Sequence, residues 1–84
     1  MVEITETSPG LFRITNTYAK HAHKGEIIQP DGHDDLFRMT ELQDKAYQVR
    51  AMNLFYEDEH ASHGVTPVPT YFNGEMPCTI YYQR

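Results

Sequence analysis

Three of the five histidines of this chain fall within residues 17–39, TYAKHAHKGEIIQPDGHDDLFRM. His21-Ala22-His23 is a His-x-His pair. On a strand, residues two apart point the same way, so both imidazoles could approach one zinc ion. A third ligand would have to come from His33, Asp34 or Asp35. The plainer reading is a solvated loop between strands. His60 and His63 stand three apart, a spacing used for metal ligation on helices, and Glu57, Asp58 and Glu59 precede them. The plainer reading there is an exposed helix end. Metal binding through His21, His23, His33, His60 or His63 is therefore kept as the second function. Cys78 lies between Pro77 and Thr79 in an apolar stretch. A nucleophile needs a base beside it, and the sequence places none, so a buried thiol is expected. The glycines are isolated, which leaves no phosphate-cradling loop. No catalytic residue and no cofactor are expected, and the chain is read as a non-enzyme.

What remains for function is surface. Phe55 and Tyr56 stand directly before Glu57, Asp58 and Glu59. Tyr71-Phe72 and Tyr81-Tyr82 are adjacent ring pairs, and on a strand neighbours face opposite sides, so one ring of each pair tends outward. Tyrosine suits protein interfaces because it combines rigid apolar area with a hydroxyl. Phe55, Tyr56, Glu57, Asp58 and Glu59 are the expected partner-binding residues, and the partner they suit is a protein with a basic surface. Lys and Arg number 7 against 12 Asp and Glu, for a net charge of −5. Nucleic-acid binding rests on neutralising phosphates, so direct nucleic-acid binding is not expected.

The 84 residues make one domain, 1–84. A chain of this length buries a small core. A lone cysteine fits a reducing compartment. The opening MVEITETSPG lacks the basic-then-apolar pattern of a secretory leader, and no apolar run nears the roughly 20 residues of a membrane span. A cytoplasmic protein without membrane contact is expected.

These side chains need elements to hold them. Val2 to Glu6 and Leu11 to Tyr18 read as extended runs, separated by the turn chemistry of Ser8-Pro9-Gly10. In the second run Phe12, Ile14 and Tyr18 share a face, with Asn16 as a polar interruption. Ala19 to Lys24 reads as a polar loop. Gly25 to Gln29 is a short strand ended by Pro30-Asp31-Gly32. Residues 34–61 contain neither Gly nor Pro, and two readings compete. Thr40 followed by Gln43 has the form of a helix capping box, with Leu42, Ala46, Val49 and Tyr56 on one face. Alternatively the segment is a hairpin with its loop centred on Gln43, which sets Phe37 opposite Val49 and Met39 opposite Tyr47. The hairpin is preferred. In the tail, Asn73-Gly74 after two aromatics signals another hairpin, and Cys78 to Tyr82 is the last strand. The prolines near these C-terminal strands, Pro67, Pro69 and Pro77, guard against edge pairing.

Lys24-Gly25-Glu26-Ile27-Ile28, then Asp35-Leu36-Phe37-Arg38-Met39, then Tyr47 to Leu54, resembles the order of elements in SH3-like small barrels. The likeness spans about half the chain and implies an all-β barrel of about five to six strands; the alternative is an α+β domain with one helix near 40–61. SH3 domains that hold Pro-rich peptides use a Trp, a Pro and a Tyr at places where this chain has Phe37, Ala51 and Leu54. No peptide-groove residue carries over. Small proteins of this kind are common in bacteria and phages, which implies a phage or mobile-element protein that inhibits or modulates a host protein by occupying its surface.

Overall fold

Ser8-Pro9-Gly10 reverses the chain as its residue types require. Gly10 adopts φ 81°, a left-handed backbone that favours glycine, and a Cβ there would stand 3.0 Å from the carbonyl of Arg84. The turn joins β1 (Glu3–Ser8) to β2 (Leu11–Tyr18). The computed structural model describes residues 1–43, 47–55 and 68–84. Beyond the first hairpin it contains β3 (Ile27–Pro30), β4 (Phe37–Gln43), β5 (Gln48–Asn53), β6 (Thr70–Asn73) and β7 (Pro77–Gln83), with one 3-10 turn at Ala19–His21. The strands form a single antiparallel sheet in the order β1-β2-β7-β3-β4-β5-β6. The architecture is all-β. The described residues form seven strands rather than five to six, and the sheet is not closed: β1 and β6 stand at its two ends. Among the described residues no helix is long and apolar enough to cross a membrane.

The disputed middle is a hairpin. Residues 37–43 and 48–53 are strands, and the helix alternative near 40–61 fails there. The register differs from the one expected. Phe37 pairs with Asn53 and Met39 with Ala51, and a shift at Thr40 then sets Leu42 against Val49. The alternation of apolar residues determines which side chains point inward, and a slip by an even number of residues preserves that pattern. Met39, Val49 and Ala51 are all buried, as the alternation demands.

Three further expectations are corrected. Asn16 is not a blemish on an apolar face but a bulge, with φ 56° and a register shift between Ile14 and Thr17. The extra residue inverts the parity, so Thr17 is buried and Tyr18 is exposed. The Asn73-Gly74 turn does not make a hairpin, because β6 pairs with β5 while β7 lies between β2 and β3. Gly74 is absent from the positive-φ residues; a Cβ there would instead touch Lys20 and Tyr47 at 3.4 Å. The polar loop 19–24 is also more than a loop. Ala19 and Ala22 enter the core beside Ile28, Met39, Val49, Cys78 and Ile80. The 3-10 turn is tied down by N–H groups of Ala19 and Lys20, which donate to the carbonyls of Met76 and Gly74 at 3.0 and 2.9 Å.

Candidate partner-binding surface

The histidines come together only in part. His21 and His23 line a cleft of about 310 Å³ with Ile14, Glu26, Tyr82 and Arg84. Glu26 is already engaged there. Its carboxylate accepts the His23 backbone N–H at 2.6 Å and lies 3.3 Å from His23 Nδ1, while its own N–H donates to the His23 carbonyl at 3.0 Å. These bonds close the turn that leads into β3. Across the cleft Phe12 and Tyr82 stack with centroids 5.2 Å apart, and the Arg84 guanidinium lies 5.5 Å from each ring. His33 belongs elsewhere, beside Pro30, Phe37 and Phe72 in a pocket of about 200 Å³. Among the described residues no three His, Cys, Asp or Glu side chains converge on a point that could hold a metal ion. His60 and His63 lie outside the described residues. Cys78 is fully buried, and burial, reinforced by the Asp31 carboxylate, pushes its thiol up to about 12. A thiol so raised is not a thiolate at neutral pH.

Of the expected partner-binding residues, Phe55 is 68 % exposed just beyond β5. Tyr56, Glu57, Asp58 and Glu59 lie outside the described residues. The ring pairs divide as strand geometry requires. Tyr71 is exposed while Phe72 packs edge-on against Phe37, centroids 4.8 Å apart. Tyr81 and Tyr82 face opposite sides, and the Tyr81 hydroxyl donates to Gln29 Oε1 at 2.9 Å.

The outer face of the sheet carries an apolar groove. Ile27 and Tyr81 are cross-strand partners at its base, and Leu11, Leu36 and Leu54 wall it, with Asp34 at the rim, around about 440 Å³. Register places Arg13 beside Tyr81 and Arg38 beside Ile27 on the same face.

At one end of the sheet stands β1, whose six residues are all exposed. Ile4 is 62 % and Val2 52 % exposed. Among the described residues β1 pairs with β2 alone, in the unbroken register Glu3↔Thr15, Ile4↔Ile14, Thr5↔Arg13 and Glu6↔Phe12. Its charged side chains are Glu3 and Glu6, and it contains no Lys, Arg or Pro. The sequence shows this run as a strand but not as an edge. Edge position depends on where β7 inserts, and that pairing links residues about 65 apart in the chain, beyond the reach of local pattern.

The fold therefore defines the class: a small open antiparallel β domain with an acidic strand, β1, at one end of its described sheet. No protein-family model, no curated protein and no solved structure matches the chain.

Proposed function

We propose that the chain is a small protein-binding module that occupies the surface of a basic partner through the β1 end of its sheet. The observation behind this reading is β1 itself, an edge strand with every residue exposed and only acidic charge. Natural sheets blunt their edges with Lys, Pro or short strands because an open edge invites pairing. β1 has neither Lys nor Pro, and its bulge sits at Thr7, clear of the regularly paired residues 3–6. Phe55, exposed beside Tyr56-Glu57-Asp58-Glu59 in the sequence, supplies a second aromatic and acidic element for the same kind of partner. We read the scaffold as an opened counterpart of the small SH3-like barrels. A phage-encoded inhibitor of a host protein is the setting that fits a chain with an acidic docking edge.

The experiment is affinity capture with the immobilised chain beside its Glu3→Lys/Glu6→Lys variant, at about 50 mM and about 500 mM salt. Exposed charges are screened at high salt, so a basic protein should be retained at low salt, released at high salt and not retained by the variant. Equal retention by both chains would overturn the assignment to β1.

A further inference from the structure

We infer that β1 captures its partner by strand addition: an extended segment carrying Lys or Arg on either side of a β-branched or aromatic residue pairs along residues 3–6 and lengthens the sheet by one strand. This rests on the protein-binding reading above and names the partner's chemistry.

The two edges of the sheet are not equivalent. β6 is four residues long and follows directly on Pro69, which has no N–H to offer an incoming strand. β1 is longer, at six residues, and its irregularity sits at Thr7, between Glu6 and Ser8 next to the turn. Residues 3–6 are thus a straight, regularly paired stretch. In an antiparallel ladder every second residue directs its N–H and C=O away from its partner. On β1 those groups face away from β2 along the whole stretch, because β2 is its only strand neighbour among the described residues.

Side chains then select what pairs. Glu3 and Glu6 lie on opposite faces of β1, since they are three residues apart. The nearest strand-borne cation, Arg13, stands opposite Thr5. A basic residue on either side of the incoming strand would meet an acid on each face. Between them Ile4, aligned with Ile14 on β2, offers an apolar contact to a residue placed across from it. A second copy of this chain fits poorly. Antiparallel self-pairing centred between Ile4 and Thr5 sets Glu3 against Glu6 twice. Centring on Thr5 sets Ile4 against Glu6, and centring on Ile4 sets Val2 against Glu6. Like charges directly opposed are destabilising, and each copy carries a net charge of −5.

The test titrates isotope-labelled full chain with three synthetic peptides: one built on Lys-Val-Val-Lys, whose lysines three apart face opposite sides of a strand, one with Glu in place of Lys, and one Lys-Val peptide N-methylated at alternate residues. The first should shift the amides of residues 3–6 and slow hydrogen exchange at alternate positions of β1. N-methylation keeps the charge and removes ladder donors, so it should weaken binding by about tenfold or more if main-chain pairing carries the contact. The Glu peptide should not bind. Glu3→Gln/Glu6→Gln, both exposed positions, should weaken the Lys-Val peptide by about tenfold at low salt with the fold intact, since glutamine at position 6 retains an oxygen to accept the Gly10 N–H. Undiminished binding of the N-methylated peptide, or a captured partner that leaves β1 amides unprotected, would overturn strand addition while leaving protein binding in place. Protection of β1 by the chain's own dimerisation, seen in sedimentation, would make a second copy the occupant and overturn the basic-strand assignment. If no basic protein is retained in the capture experiment and no peptide alters β1, the protein-binding reading falls with it.

Discussion

Lys20, Tyr47 and Glu75 form a small network. Lys20 Nζ donates to Tyr47 Oη at 2.9 Å and to Glu75 Oε1 at 2.7 Å, and the Tyr47 hydroxyl donates to the same carboxylate. Tyr47 reaches this position from a left-handed backbone, φ 53°, and accepts the Gly74 N–H at its carbonyl. The hydrogen bond from Lys20, then that from Tyr47, holds the Glu75 carboxyl below its usual value of 4.5. The bond to Glu75, then that to Tyr47, raises the Lys20 ammonium above 10.5. The signs differ in consequence. Because the Glu75 value is depressed on folding, its contribution is present above pH 4.5 and disappears as the pH falls through the lowered value. Because the Lys20 value is raised, its contribution is complete below pH 10.5 and fades only above it. Glu75→Gln should therefore lower the melting temperature slightly at pH 7, and the difference from the parent chain should shrink steadily below pH 4.5. The effect is small because the carboxylate is half exposed. A gap between the two melting curves that stays constant from pH 7 to pH 3 would show that the carboxylate's charge plays no part.

At the scale of elements, the bulge in β2 decides which side chains reach the core. Ile14 pairs with Ile80 and Thr17 with Cys78, so three steps on β2 match two on β7, and Asn16 takes up the difference at φ 56°. Asparagine tolerates this conformation better than most residues, and β-branched residues tolerate it worst. Asn16→Val should cost about 1–2 kcal/mol in urea denaturation, whereas Asn16→Gly should be neutral within about 0.5 kcal/mol. Equal losses for the two would mean that the asparagine side chain, not the backbone, holds the bulge. The same position shows how far the sequence was legible. The strands at 2–6, 11–18, 25–29 and 78–82 were evident from alternation and turn residues, because both are local. Asn16 was visible as an interruption, yet nothing local distinguishes a polar residue on an apolar face from an extra residue that shifts parity. The β4–β5 register had the same ambiguity: an even slip buries the same side chains, so the pattern could not choose Asn53 over Val49 as the partner of Phe37. The histidine cleft was partly legible, since His21, His23 and Glu26 are close in sequence, but Arg84 and Tyr82 complete it from the far end of the chain.

At the scale of the whole molecule, β7 is the strand that makes one sheet from two parts. It pairs with β2 on one side and β3 on the other, and β3 meets β4 over the short register Ile27↔Arg38 and Ile28↔Phe37, extended by the bonds that Met39 exchanges with Gly25 and Glu26. Without β7 the first hairpin would lose its strand-to-strand link with the rest of the described sheet, and a lone two-stranded ribbon is marginally stable in water. The last strand in the sequence must thus be placed before the sheet is continuous. Its pairings close long loops, which makes folding slow for a chain of this size and opening cooperative. Cys78 reports on this directly, because it sits on β7 with no exposed surface and is paired to Thr17 and Pro30 on the two flanking strands. Its thiol can meet a reagent in solution only when β7 leaves the sheet, and its raised value of about 12 suppresses thiolate until then. Labelling by a disulfide reagent at pH 8 should therefore be slow in the native chain, and its rate should rise with urea in parallel with loss of the β circular-dichroism signal. Removal of residues 79–84, which deletes most of β7 but leaves Cys78 in place, should abolish both the signal and the protection. Rapid labelling in the absence of urea would mean that β7 frays locally, and that the two halves of the sheet hold together by contacts other than the strand between them.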